Sequence, residues 1–122
     1  MNRKEGFIIG RIKSIGYAFK GFRILLFTEH SIMTQTTCLI LCCILGFCYS
    51  ISPYEWMAQT LGFGLILTAE GLNTAIEEIA DFIHPDFHKK IGKIKDISAG
   101  AVTFAALTTM TILGIIYLPK IF

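Results

Sequence analysis

Three long apolar segments dominate the pattern of the chain. No Asp, Glu, Lys or Arg occurs in residues 30–54, 56–69 or 97–118. The first and last segments reach the roughly 20 residues that a helix needs to cross a bilayer. The middle segment stops at Glu70, but apolar residues continue at helical spacing as far as Ile83. The pattern predicts an all-α membrane protein with three transmembrane helices, at about 31–51, 54–83 and 96–118.

The N-terminal segment, about residues 6–28, also has helical periodicity, but it carries charges. Lys13 and Lys20 fall on the side opposite an apolar stripe whose members recur in steps of four and three. A helix of this kind lies in the membrane surface with its cations facing water. We therefore predict an amphipathic surface helix on the cytoplasmic leaflet, although a plain membrane anchor would need the same residues. The apolar stripe consists of Ile8, Ile12, Ile15, Phe19, Phe22 and Leu26.

The composition agrees with a membrane environment. Of the 122 residues 53% are hydrophobic, and the mean hydropathy of +0.61 exceeds what a small soluble core requires. The four cysteines all fall in the first apolar segment without CxxC spacing, so we expect them to be small apolar packing residues. Length and composition together predict one membrane domain that spans residues 1–122.

The distribution of Lys and Arg predicts the orientation. Six of the eleven precede the first apolar segment and four lie between the second and third, whereas the loop near Ser52 has none. By the positive-inside rule the N-terminus and the Lys-rich loop are cytoplasmic and the C-terminus is outside. The first apolar run begins too late for a cleaved signal peptide, so we expect the N-terminus to be retained.

Four polar residues share one face of the middle helix. At 100° per residue, Asn73, Glu77 and Asp81 lie within about 60° of Glu70. Counted from Pro53 at 1.5 Å per residue, a ~30 Å hydrocarbon core ends near residue 74, which puts Glu70 inside the membrane near its cytoplasmic boundary. A carboxylate there is costly unless it faces a bundle interior or a polar cavity. A patch of interhelical hydrogen bonds is the alternative, but four residues on one stripe favour a functional site.

The charged groups near this stripe suit phosphoryl transfer. Glu70 is placed to accept a proton from the hydroxyl group of a lipid. Glu77, and Glu29 on the same predicted side of the membrane, offer the oxygen ligands that Mg²⁺ prefers. Lys95 can neutralise charge on a transferred phosphoryl group, a reaction that depends mainly on positioning and charge neutralisation.

The sequence contains none of the common nucleotide-binding motifs. A Walker A motif, a protein-kinase loop and a GxGxxG motif are all absent. The GxG formed by Gly62 and Gly64 lies in the middle of a predicted membrane segment, where we expect it to permit close helix packing. An ATP site in this chain would therefore be of an unusual kind.

Several motifs in order carry a resemblance to a known family. The segments EGLNTAIE at 70–77 and KIGKIKDISAGAV at 90–102, with GYAFKGFR at 16–23 and Glu29, closely resemble the small integral-membrane prokaryotic diacylglycerol kinase family, which includes the undecaprenol kinases. The resemblance covers nearly the whole chain. It implies a homotrimeric bundle in the bacterial inner membrane, with active sites between neighbouring subunits and MgATP as the phosphoryl donor.

The resemblance also implies roles for individual residues. Glu70 matches the catalytic base and Asn73 another active-site residue, while Glu29 and Glu77 match carboxylates that bind the metal and, through it, the nucleotide. The other positions that the resemblance implies for nucleotide binding are Tyr17, Asp86, Phe87, His88, Lys95 and Asp96. For binding of the lipid substrate it implies Glu70, Arg11 and Arg23.

The implied reaction is the phosphorylation of diacylglycerol to phosphatidic acid, with undecaprenol as the second candidate acceptor. A small proton-coupled transporter that exchanges protons at Glu70 is a remote alternative, and a purely structural membrane oligomer is another. Neither alternative requires carboxylates at the cytoplasmic edge. We expect no nucleic-acid partner. We assign no role to Asp81, His30 or His84.

Overall fold

The computed structural model describes residues 6–122, in which the chain forms four α-helices and no strand. The predicted all-α fold is confirmed for this part of the chain. Arg3 and Lys4, which contribute to the predicted charge asymmetry, lie outside the described residues. The helices are α1 (Phe7–Thr28), α2 (His30–Cys48), α3 (Pro53–Ile83) and α4 (Lys89–Ile121).

A single residue, Glu29, separates α1 from α2. Its backbone is extended, with φ −96° and ψ 116°, so it interrupts the helical hydrogen bonding. Its N–H donates to the Leu25 carbonyl at 3.4 Å, and its carbonyl accepts from the Met33 N–H at 3.0 Å. The carboxylate makes no capping hydrogen bond to α2. Glu29 thus ends one helix and begins the next while its half-buried side chain remains available.

A tight turn joins α2 to α3. Ser50 has φ +50°, in the left-handed region, and Ser52 caps α3. The Ser52 hydroxyl accepts from the Glu55 N–H at 3.2 Å, and the Glu55 carboxylate accepts from the Ser52 N–H at 3.0 Å. This capping box, followed by Pro53 at the first helical position, defines the start of α3.

Small residues allow the helices to pack closely. Helix α3 packs most extensively against α4, and α2 packs against α3. A Cβ on Gly62 would lie 3.3 Å from Cγ2 of Thr109, whose hydroxyl donates to the Gly62 carbonyl at 2.8 Å. A Cβ on Gly46 would lie only 2.7 Å from the Trp56 ring. Nothing lies within 4 Å of the corresponding position on Gly64, so Gly62 alone of the GxG pair is a packing residue.

A buried polar network connects three helices at the end opposite the α3–α4 loop. Gln59 is 1% exposed. Its amide Nε2 donates to the Cys42 carbonyl at 3.2 Å, and its Oε1 accepts from the Tyr117 hydroxyl at 2.6 Å. Lys120 Nζ and the Glu55 carboxylate pair nearby at 2.7 Å. Each buried group of Gln59 therefore has a partner, which offsets the cost of burying an amide.

This network makes a prediction for stability. Tyr117→Phe removes the hydroxyl and leaves Oε1 of Gln59 without its donor, so the free energy of unfolding should fall by about 1 kcal/mol. Unfolding of the purified protein in mixed micelles by a denaturing detergent measures this change. The matched control is Tyr54→Phe, because Tyr54 is 79% exposed. Equal effects of the two substitutions would contradict the assigned role of the network.

Two helices in the described chain, α2 and α4, are long and apolar enough to cross a membrane by length and composition. Helix α3 is also long enough, with 31 residues. Gln59, Glu70 and Asn73 interrupt its apolar sequence. The first span was predicted at 31–51, but α2 ends at Cys48 because the turn begins there. The third span, predicted at 96–118, lies within a longer α4 that begins at Lys89.

The apolar side chains of α1 are largely exposed. Ile8, Ile12 and Phe19 of the predicted stripe are 72%, 63% and 68% exposed. Ile24 and Phe27, which are also exposed, lie about 100–160° away from the stripe at 100° per residue. Apolar surface therefore extends around more of α1 than a narrow amphipathic stripe, and a surface location of this helix remains a prediction.

Candidate active site

The predicted polar stripe lies at one end of the bundle, which we call the hairpin end: residues 70–83 of α3, the loop 84–88 and the first two turns of α4. The exposure of the side chains in this stripe increases from Glu70 toward Asp81. Glu70 is buried, Asn73 is half-buried, and Glu77 and Asp81 are exposed. The stripe therefore runs from the packed interior of the bundle to its end, as expected for a helix that leaves an apolar environment.

Glu70 is the deepest carboxylate of the site. It is 9% exposed, and within residues 6–122 no N–H or O–H group donates a hydrogen bond to its carboxylate. The adjacent Gly71 lets α1 approach, because a Cβ there would lie 3.2 Å from a methyl group of Leu25. A buried carboxylate without a donor is costly, and such a group marks a functional site more often than a stabilising one.

Asn73 and Glu77 are joined one helical turn farther on. The amide Nδ2 of Asn73 donates to Oε1 of Glu77 at 3.1 Å. The Oδ1 of Asn73 is buried and has no hydrogen-bond partner among the described residues. The pair therefore presents a carboxylate held in place by an amide, together with an acceptor that a hydroxyl or amino donor would satisfy.

Asp81 pairs with Lys95 across the hairpin. The Nζ of Lys95 donates to Oδ1 of Asp81 at 2.5 Å. The Asp81 carboxylate raises the pKa of the Lys95 ammonium group above its ordinary value, and Glu77 acts in the same direction. Lys95 precedes the apolar part of α4 and remains cationic at physiological pH. Both charged residues are evident in the sequence, but no sequence pattern predicts that they pair.

The loop 84–88 is held by its histidines. Nδ1 of His84 lies 2.8 Å from the Asp86 carbonyl oxygen. The centres of the His84 and His88 imidazole rings are 5.0 Å apart. Nδ1 of His88 accepts from the Lys90 N–H at 3.1 Å, so His88 caps α4. An open pocket of about 760 Å³ lies beside this cap. It is lined by Phe87, His88, Lys89, Lys90, Gly92, Lys93 and Asp96, which include three of the residues predicted to bind nucleotide.

No side-chain hydrogen bond or ion pair within residues 6–122 connects the predicted residues on α1, or Glu29, to this cluster. Tyr17 is 69% exposed, and Arg23 is also exposed. The guanidinium carbon of Arg11 lies 5.5 Å from the centre of the Phe7 ring. Glu29 is half-buried at the junction between α1 and α2. The structure of a single chain thus assembles the part of the site on α3 and α4.

The donor set suits a cation that is bound partly by phosphate. No group of three or more His, Cys, Asp or Glu side chains in residues 6–122 could hold a metal ion by itself. Mg²⁺ is commonly bound by one or two carboxylates together with substrate phosphates. Two carboxylates could serve as such ligands. Glu77 is exposed and accepts a hydrogen bond from Asn73, and the Glu29 carboxylate makes no capping hydrogen bond to α2.

Comparison with known proteins identifies the family. A family model described as prokaryotic diacylglycerol kinase matches residues 16–117. The chain is 35% identical over 111 residues to the undecaprenol kinase of Bacillus subtilis, covering 89% of both proteins. It is 25% identical over 99 residues to the diacylglycerol kinase of Escherichia coli, covering 81% of both. A diacylglycerol kinase of Synechocystis is 30% identical over 111 residues, 88% of this chain and 58% of the relative. This chain belongs to the prokaryotic diacylglycerol kinase family.

Proposed function

We propose that the protein is a lipid kinase that transfers the γ-phosphoryl group of ATP to the hydroxyl group of a membrane lipid. The observation that carries this proposal is Glu70, a residue that is 9% exposed and whose carboxylate has no donor within the described chain. It shares a helix face with Asn73 and Glu77 in a member of a lipid kinase family. The family supports a kinase over a proton-coupled transporter or a structural oligomer.

Glu70 is proposed to act as the general base. The hydroxyl oxygen of the lipid attacks the γ-phosphorus, the bond from that phosphorus to the ADP oxygen breaks, and the hydroxyl proton passes to Glu70. Glu70 is suited to this role by position, because its carboxylate has no donor within residues 6–122 and is free to accept the hydroxyl proton. The unpartnered Oδ1 of Asn73, one turn away, can accept a hydrogen bond from a different donor group of a bound substrate or a neighbouring subunit.

The nucleotide is proposed to bind at the hairpin end. The pocket beside the start of α4 contains Lys89, Lys90 and Lys93, which favour an anionic ligand. Glu77 and Glu29 would hold Mg²⁺, which would supply charge neutralisation at the phosphates. Lys95 would neutralise the charge on the transferred phosphoryl group.

A second copy of the chain is proposed to complete the site. Tyr17 and Arg23 are exposed on α1, and within residues 6–122 neither the Glu70 carboxylate nor Oδ1 of Asn73 receives a hydrogen bond. Large apolar side chains on α4, such as Phe104 at 78% exposed, remain uncovered. These observations support the homotrimer with shared sites that the family resemblance implies. Three membrane crossings, with the hairpin end in the cytoplasm of a bacterium, belong to the same proposal.

The acceptor lipid is proposed to be undecaprenol, with diacylglycerol second, which reverses the order in which the family resemblance implies them. The chain is 35% identical to an undecaprenol kinase and 25% identical to the E. coli diacylglycerol kinase.

The acceptor can be tested directly. With purified protein in mixed micelles, we expect kcat/KM for undecaprenol to exceed that for diacylglycerol by about tenfold or more, which corresponds to ~1.4 kcal/mol of discrimination in the transition state. Both lipids are assayed at equal mole fraction with the same MgATP. A preference for diacylglycerol would reverse the proposed order, and no transfer to either lipid would contradict the kinase assignment for these acceptors.

A further inference from the structure

Asp81 belongs to the polar stripe, and the proposed mechanism gives it no role. Its Oδ1 accepts a hydrogen bond from Nζ of Lys95 at 2.5 Å. The Asp81 side chain is 59% exposed and that of Lys95 is 37% exposed. The contact joins the end of α3 to the second turn of α4 across the loop 84–88. Of the two ion pairs in residues 6–122, this one lies at the hairpin end, and the Lys120–Glu55 pair lies at the opposite end.

The pair distinguishes Lys95 from the neighbouring lysines. Lys89, Lys90 and Lys93 are exposed at the start of α4, and no ion pair involves them in residues 6–122. A lysine side chain has four rotatable bonds, so an unpaired one samples many positions and loses entropy when a ligand fixes it. Lys95 is already held against α3, where Glu77 also acts on it electrostatically.

We propose that Asp81 is a positioning residue that holds the Lys95 ammonium group against the polar stripe, where phosphoryl transfer takes place. This inference rests on the proposed function and adds a residue to it. Asp81 lies one turn beyond Glu77 on the same helix face. It therefore holds Lys95 beside Glu77, one of the two carboxylates that would bind the metal, and it reduces the entropy that Lys95 loses when phosphate binds.

A simple surface staple between α3 and α4 is the competing explanation. Exposed ion pairs of this kind typically contribute little to stability, because water and salt screen them. A staple predicts that loss of the Asp81 carboxylate changes activity and analogue affinity little as long as Lys95 is present. A positioning role predicts that the cation must be on α4 and the carboxylate on α3.

The first test is a double-mutant cycle. Asp81→Asn keeps the size of the side chain and removes its charge, and we expect kcat to fall about tenfold and the affinity for a non-hydrolysable ATP analogue to fall several-fold. In a Lys95→Met background the same substitution should change analogue affinity less than twofold, since there is no ammonium group to position. Asp81→Glu, which retains the charge, should recover part of the loss. Glu78→Gln is the matched control, because Glu78 is exposed on the same helix away from the stripe.

The second test reverses the pair. Asp81→Lys combined with Lys95→Asp preserves an ion pair across the hairpin but moves the cation to α3. We expect melting temperature and oligomer size close to those of the wild type, with activity no higher than that of Asp81→Asn. Recovery of activity in the reversed pair, or equal losses of analogue affinity from Asp81→Asn in both backgrounds, would overturn the positioning role. Absence of lipid phosphorylation by the wild type would instead contradict the proposed function, and the binding cycle does not depend on turnover.

Discussion

Replacing Glu70 with Gln is expected to lower phosphoryl transfer to lipid by about 10²- to 10⁴-fold, the range typical for loss of a general acid or base. Gln keeps the shape and polarity of the side chain but does not accept the hydroxyl proton. Affinity for MgATP should change little, because Glu70 lies two helical turns, ~10 Å, from Glu77, the carboxylate proposed to bind Mg²⁺. Turnover and nucleotide affinity, measured on the same purified variant, check this prediction.

The structural alternative for Glu70 makes the opposite prediction. A neutral Gln is cheaper to bury in an apolar bundle than Glu, so a purely structural role predicts an intact oligomer with most of its activity. Oligomer size from sedimentation separates the two cases, with Glu78→Gln as the exposed control on the same helix. Near-normal turnover would contradict the base assignment, and dissociation of the oligomer would show that Glu70 is chiefly structural.

Glu77→Gln is expected to raise the Mg²⁺ concentration needed for half-maximal activity by about 10- to 100-fold, the scale on which even residues that only support metal ligands act. An amide keeps the size of the side chain but loses the charge that holds a hard cation. Its hydrogen bond with Asn73 can persist, so the local helix should not change. A Mg²⁺ titration of activity at saturating ATP measures the shift.

The control for Glu77 is its neighbour. Glu78 is exposed, has the same side chain and lies 100° away around the helix, so Glu78→Gln should leave the Mg²⁺ titration unchanged. An unchanged titration for Glu77→Gln, or equal shifts for the two variants, would remove Glu77 from the metal site.

The positions of the helices and of the stripe could be predicted because they depend on local sequence. Pro53 after a serine specifies the start of α3, and helical periodicity puts Glu70, Asn73 and Glu77 on one face at increasing exposure. The small size of Gly62 similarly predicts close packing, which its contact with α4 confirms. Each of these features follows from a few neighbouring residues and from the 3.6-residue repeat of the α-helix.

The long-range polar contacts could not be predicted, because they depend on the register between helices. Gln59 and Tyr117 are 58 residues apart and Asp81 and Lys95 are 14 apart, so no local pattern relates them. The start of α4 at Lys89 was missed for another reason. A lysine-rich segment does not look like the continuation of an apolar span, but the His88 cap and continuous backbone hydrogen bonds extend the helix through it.

The most direct test of the account is the transfer of labelled γ-phosphate from ATP to lipid by the purified protein in mixed micelles. Label should appear in the organic phase when undecaprenol or diacylglycerol is present and should require ATP, whereas the Glu70→Gln variant should transfer at least about 10²-fold less. Absence of labelled lipid with the wild-type protein and both acceptors, or equal labelling by wild type and Glu70→Gln, would contradict a lipid kinase whose base is the buried carboxylate of α3.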